Sequence, residues 1–306
     1  MVAALLAAGC GGTGGSAAPS VEKPNLVVAA VPAIDTAGLY IAQERGLFAA
    51  QGLHVKIEKA ISSKTVIAGQ MAGTYDVTLG NYVSYMLADA EHGADLMVLA
   101  EGSVMQPRTQ VVVVPAGSRI RTPADLKGKI VGVNVLGGIA SLLVNSALTD
   151  NAMTPADVHF KPVPFPLMIA ALKSHELDAA EMPEPFVTAA QVAIGAQVLL
   201  DTNQGATQNL PITGYVVTRT WDKKYPETAA AFKRALLAGQ AIADTDRTAV
   251  EHAVVAFTGV STSSAALIAA DNYPLSVDKV RLQRVADLMQ RFGLLKRPFN
   301  VTPMMP

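Results

Sequence analysis

Six consecutive apolar residues, Leu26–Val31, stop at Pro32 and predict a buried strand. Asp35 and Thr36 are helix N-cap types and stand just ahead of the helix formers of Ala37–Phe48. Gly46 and Gly52 punctuate, and His54–Ile57 restarts an extended pattern. The order recurs along the chain. Tyr75–Leu79 precedes a helix at Val83–His92, Ile130–Val135 precedes one running to about Asp150, and Leu177–Met182 precedes Val187–Ile194. From Asp222 onward only helical periods remain. The last, 277–292, sets Val280, Val285, Leu288, Met289 and Phe292 on one stripe with charges between them.

Strand–helix alternation implies an α/β architecture, with mostly parallel strands covered by helices. The pattern breaks near Arg108–Gln110 and returns near Pro211–Tyr215. Two lobes follow, residues 25–108 with 216–306 and residues 109–215, joined by a hinge of two crossings with a ligand cleft between them. A strand that feeds a helix through a short loop aims the helix's first N–H groups at one point above the sheet, where an acceptor or anionic group can bind.

Composition narrows the function. The 306 residues are 50% hydrophobic and 16% charged with net charge −1, which leaves no basic footprint for nucleic acid. The five histidines are scattered and the acidic cluster Glu176–Glu184 lacks ligand spacing, so neither a metal site nor a cofactor is expected. The single cysteine, Cys10, excludes an intrachain disulfide. It closes the segment Leu6-Ala7-Ala8-Gly9-Cys10, which resembles a bacterial lipobox. Ala7 stands where Leu is usual, and no Lys or Arg precedes the apolar run, as if translation started further upstream. On this reading residues 1–24 are signal and flexible tether, and Cys10 carries a lipid that holds the protein outside the cytoplasmic membrane.

Four segments, in order, then carry a family likeness: Gly38-Leu39-Tyr40-Ile41-Ala42-Gln43-Glu44-Arg45-Gly46-Leu47-Phe48; Gly69-Gln70-Met71-Ala72-Gly73-Thr74-Tyr75-Asp76-Val77; Asp125-Leu126-Lys127-Gly128-Lys129-Ile130-Val131-Gly132; and Leu177-Asp178-Ala179-Ala180 with Glu184-Pro185-Phe186. Together, over about residues 25–240, the chain resembles the nitrate/sulfonate/taurine/aminopyrimidine family of ABC-transporter substrate-binding proteins. The resemblance implies a type II periplasmic-binding-protein fold closing on its ligand.

Candidate ligand-binding residues follow from both readings. Asp35, Thr36 and Tyr40 sit where the first helix begins; Asp35 is equally a plain N-cap. Asn81 and Tyr82 follow a strand at the end where open α/β sheets bind ligands. Gly137, Gly138 and Ser141 open the second lobe's helix and let a ligand approach backbone N–H groups. Glu184, rigidly presented between Pro183 and Pro185, is the foremost candidate; the resemblance implies an acid here in members that bind amine-bearing ligands. Arg108 and Tyr215 lie at the crossings. Asp35 and Glu184 argue against a bare oxyanion and for a small nitrogen-containing ligand such as an aminopyrimidine or aminosulfonate. The expected role is a monomeric, lipid-anchored solute-binding protein, not an enzyme, that delivers this ligand to ABC permease subunits. The alternative is an enzyme on the same fold, of pyrimidine-precursor or menaquinone-pathway type. A sensor using the same cleft is a third reading.

Overall fold

The computed structural model describes residues 20–306; the expected lipidation site Cys10 and most of the 1–24 leader lie outside the described residues. The first sheet contains β1 (Asn25–Ala30), β2 (His54–Lys59), β3 (Val77–Asn81), β4 (Leu96–Val104) and β10 (Pro211–Thr218) in the order β2-β1-β3-β10-β4. The second contains β5 (Gln110–Val114), β6 (Ile130–Val133), β7 (His159–Pro162), β8 (Ala179–Pro183) and β9 (Gln197–Asp201) in the order β7-β6-β8-β5-β9.

The two sheets are built alike. In each, three parallel strands are followed by one antiparallel strand, which lies between the third parallel strand and the edge strand. That antiparallel strand is the one that has just crossed from the other lobe: β5 enters the second sheet, and β10 enters the first. The chain thus crosses at 105–109 and at 202–210. The whole of β10 pairs with β3 and β4, so the lobe boundary expected at 215/216 moves to before Pro211. All nine residues of β4 and all five of β5 are buried, which explains their near-continuous apolar runs.

Helices cover both sheets. In the first lobe these are α1 (Ala37–Glu44), α2 (Leu47–Ala50), α3 (Ser63–Met71), α4 (Tyr82–His92) and the C-terminal set α8 (Arg219–Lys224), α9 (Pro226–Thr245), α10 (Arg247–Thr258), α11 (Thr262–Ala265) and α12 (Lys279–Arg291). The second lobe has α5 (Ile139–Asp150), α6 (Phe165–Lys173) and α7 (Phe186–Ile194). The helix expected over Ala37–Phe48 breaks at Gly46, whose φ of 69° is left-handed. On α12 the buried face is Leu282, Val285, Ala286, Leu288 and Met289, whereas Val280, expected on that stripe, is 80% exposed.

The lobes meet through more than the two crossings. Leu142 and Leu143 of α5 join Tyr82 and Met86 of α4 and Leu282 and Val285 of α12 in one apolar core. At the end of β1, Val31 packs against the group that holds Phe165 and Met168 of α6. Among the described residues no helix is long and apolar enough to cross a membrane.

Candidate functional site

The strand register brings the crossing strands to the cleft. Thr213 at the start of β10 pairs with Asn81 at the end of β3, and Gln110 at the start of β5 pairs with Pro183 at the end of β8. Between these two strand edges lies a cavity of about 60 Å³. The first lobe lines it with Val31, Ala33, Asp35, Ser63, Gly80, Asn81 and Thr213; the second lines it with Gln110, Asn134, Gly138, Ile139, Ala140, Phe165 and Glu181. Strands ending at a common crevice are where open α/β sheets bind ligands.

Two helix starts face this space, and they differ. At α4, Asn81 caps its own helix, its Oδ1 accepting from Ser84 N at 2.9 Å. Its Nδ2 donates to Ser63 Oγ at 2.8 Å, and its backbone N donates to the same oxygen at 3.0 Å. At α5 the N-cap is Gly138, which has no side chain to cap with. The first-turn N–H groups of α5, at Ile139 and Ala140, have no carbonyl four residues back within the helix and sit on the cavity wall. They carry the positive end of a 12-residue helix dipole.

Two carboxyls oppose each other across the cavity. Neither oxygen of Glu181 on β8 has a hydrogen-bond partner, and Asp35 Oδ1 has none. Burial pushes Glu181 up to about 8. Asp35 is pushed up to about 7 by burial and then by the charge of Asp271, with the Thr213 hydroxyl pulling the other way. Such acids are costly to leave unpaired. Among the described lining residues there is no Lys or Arg to neutralise them and no Cys or His. The arrangement can accept hydrogen bonds from a ligand at its acidic end and donate to it from α5, Asn81 and Gln110.

Of the residues singled out in the sequence, Asp35, Asn81 and Gly138 line the cavity; the others lie elsewhere. Thr36 is buried, and its hydroxyl donates to Ala33 O at 2.7 Å. Tyr40 packs against Phe257 in a tilted ring pair, centroids 4.9 Å apart. Tyr82 and Tyr215 are fully buried in the first lobe's cores. Gly137 supplies a left-handed φ of 68° just before the α5 cap. Ser141 turns back toward Val135 O at 3.5 Å. Arg108 is exposed, its backbone N donating to Asp201 Oδ2 at 2.9 Å. Glu184 is also displaced from its expected role. Its carboxylate accepts from Thr188 N at 3.0 Å and Thr188 Oγ1 at 2.9 Å, inside the protein. The acid on the cavity wall is instead Glu181, three residues earlier. Its signal in the sequence is a lone charge inside the apolar strand Ala179-Ala180-Glu181-Met182. Among the described residues no group of three or more His, Cys, Asp or Glu is arranged to hold a metal ion.

A profile described as NMT1/THI5 like matches residues 33–246. The chain belongs to this family. The bicarbonate transport ATP-binding protein CmpC of Synechococcus elongatus is 25% identical over 234 residues, covering 71% of this chain and 35% of the relative. The chain therefore spans about a third of the length of the curated relatives it matches. Among solved structures, the alkanesulfonate-binding protein SsuA of Xanthomonas axonopodis pv. citri, bound to MOPS, superposes with a TM-score of 0.78 at 18% identity, covering 94% of this chain and 99% of that one. The periplasmic nitrate-binding protein NrtA of Synechocystis superposes with a TM-score of 0.78 at 16% identity, covering 91% and 84%. This NMT1/THI5-like chain thus has the periplasmic-binding-protein fold of those proteins.

Proposed function

We propose that this protein is the solute-binding component of an ABC import system and works outside the cytoplasmic membrane. Its lobes close on a compact ligand that offers N–H donors at one end and an acceptor at the other. The observation that carries this reading is the pair of buried, under-partnered carboxyls, Asp35 and Glu181, facing one cavity from opposite lobes. Once these acids ionise, a bare oxyanion meets like charge there. A ligand with amino or amidine N–H groups satisfies the acids, while its acceptor end faces the uncapped start of α5.

The ligand class is that of aminosulfonates and amino-substituted heterocycles. The space between the lobes is smaller than the roughly 150 Å³ that takes up a benzene ring, so a six-membered heterocycle enters only with the lobes further apart than here. The proteins it resembles supply the transport setting: alkanesulfonate and nitrate for the two superposed structures, bicarbonate transport for the sequence relative. The absence of a Cys, His or Lys among the described lining residues favours binding without covalent chemistry over an enzyme. Residues 25–104 with 211–306, and residues 110–201, act as the two moving lobes. Cys10 is the proposed lipid attachment, checked by mass spectrometry of the mature N-terminus. The protein acts as a monomer, with ABC permease subunits as its partners.

Calorimetry with taurine, an aminopyrimidine, nitrate, bicarbonate and an alkanesulfonate tests the ligand class. The expected result is saturable binding of a donor-bearing compound, weakened at least tenfold by Glu181→Gln. Tight nitrate or alkanesulfonate binding that Glu181→Gln leaves unchanged would overturn it.

A further inference from the structure

Glu184 is spent on contacts that join the lobes. It stands just before α7, whose N-cap is Pro185 and has no acceptor side chain. The Glu184 carboxylate takes that part, accepting from the N–H of Thr188 in the helix's first turn. The same carboxylate reaches across to the first lobe, where Oε1 accepts from Ala269 N at 3.3 Å. Its backbone makes a second crossing contact: Ile34 N donates to Glu184 O at 3.0 Å. The carbonyl of Ile34 is held in turn by the hydroxyl of Tyr273 at 2.9 Å, inside the first lobe. The peptide groups on both sides of Ile34 are therefore pinned, one by each lobe, and the next residue is Asp35 on the cavity wall.

We propose that Glu184 is an interlobe latch and a positioning residue: it fastens the second lobe to the Ile34–Asp35 turn and to the segment after α11, so that closure and the placement of the Asp35 carboxyl occur together. The proposal rests on the two-lobe binding reading only for the use made of Asp35. The latch itself is a contact within the chain and needs no ligand. Burial raises Glu184 above the usual carboxylate range, opposed by its bonds to Thr188 and Ala269 and by the charge of Arg108. Asp271, two residues after Ala269, is close enough to feel its charge. Separating the lobes strips the carboxylate of the Ala269 N–H and leaves Ile34 N without Glu184 O, so the latch favours the closed arrangement before any ligand arrives.

The test reads lobe separation directly. Spin labels go on Ile61→Cys, just after β2, and Leu167→Cys, in the first turn of α6, in a Cys10→Ser background; both positions are exposed, at 64% and 57%. Pulsed dipolar spectroscopy of the unliganded protein should give a short, narrow distance distribution. Glu184→Ala should shift it to longer distances and broaden it. Glu184→Gln keeps one acceptor oxygen for two N–H donors and should fall between the two. In the ligand titration, Glu184→Ala should weaken binding severalfold with unchanged stoichiometry. If Glu184→Ala does not fold, Glu184→Gln decides by the same distances. Unchanged distances in the folded variants would overturn the latch, even if ligand binding falls. Failure of every ligand to bind the parent protein, with the distances still shifting, would leave the latch standing and remove the binding function instead.

Discussion

At the residue scale the chemistry turns on Glu181. Its carboxyl has a folded-state value near 8 against an ordinary 4.5, so the folded protein keeps a proton that the unfolded chain has already lost. The unfolded state therefore binds fewer protons between those limits, and stability of the unliganded protein falls as pH rises from about 4.5 to about 8. The slope from this group reaches up to ~1.4 kcal/mol per pH unit. Urea titrations at pH 5 and pH 8 should show the loss, and Glu181→Gln should remove its own share, most clearly between about pH 7 and about pH 8, leaving the part due to Asp35, which is raised to about 7. Ligand binding should run the other way. N–H donors favour the ionised acid, so affinity should rise toward pH 8 by up to about tenfold per unit, measured calorimetrically. A fall with pH would mean that the site takes an anion between protonated acids. Glu181 escaped sequence reasoning because one acid in a buried strand carries no spacing signal. Glu184 drew attention through its flanking prolines, yet Pro185 is what ties it down: a proline at the N-cap leaves the first turn of α7 to be capped from the residue before.

At the scale of elements, capping and close approach fix the site's walls. Asn81 holds the start of α4 and hydrogen bonds with Ser63 at the start of α3. Asn81→Ala should destabilise by about 1 kcal/mol in chemical unfolding, the usual cost of a lost N-cap. Gly214 on β10 lies under the ring of Tyr82, and a Cβ there would stand 2.6 Å from it. Gly214→Ala should cost about 1–3 kcal/mol through overpacking, read from the same unfolding curves. The alternation of strands and helices was legible because each element keeps one hydrophobic period. The extension of β4 through Gly102 and Ser103 to Val104 was not. Small and polar residues there read as loop, but they pair with β10 across register shifts that no local pattern encodes. In the same way Tyr82, at the start of α4, and Tyr215, inside β10, turned out to be core residues, because tertiary packing decides which way such a side chain points.

For the whole molecule, the lobes share an apolar seam as well as a hinge. Leu143 belongs to the second lobe by its helix and to the first by its packing. Leu143→Ala should cost about 2–5 kcal/mol and, with the labels described above, loosen the lobe distance as well. Unchanged distances with full loss of stability would mark the seam as structural only. Two lobes and a cleft were legible from the break in alternation. The return crossing was misjudged by a few residues, since the β10 strand begins at a proline, Pro211, that reads as the end of a loop.

The exchange of antiparallel strands also orders events on the ribosome. The second sheet is complete within one continuous piece of chain, residues 110–201, and can form as soon as that piece emerges. The first sheet cannot. β3 and β4 are made early, but neither pairs with the other; β10 must arrive between them, after the entire second lobe has been synthesised. Until then two strands rich in apolar residues hold open edges, the kind of surface that pairs with the wrong chain. Ribosome-bound chains halted at lengths where residues 110–201 have cleared the exit tunnel and residues 211–218 have not should therefore show a protease-resistant second lobe and a digestible first one, and protection of the first lobe should appear only once residues 211–218 have also cleared it. The late half of the gene is thus what keeps the early half out of aggregates.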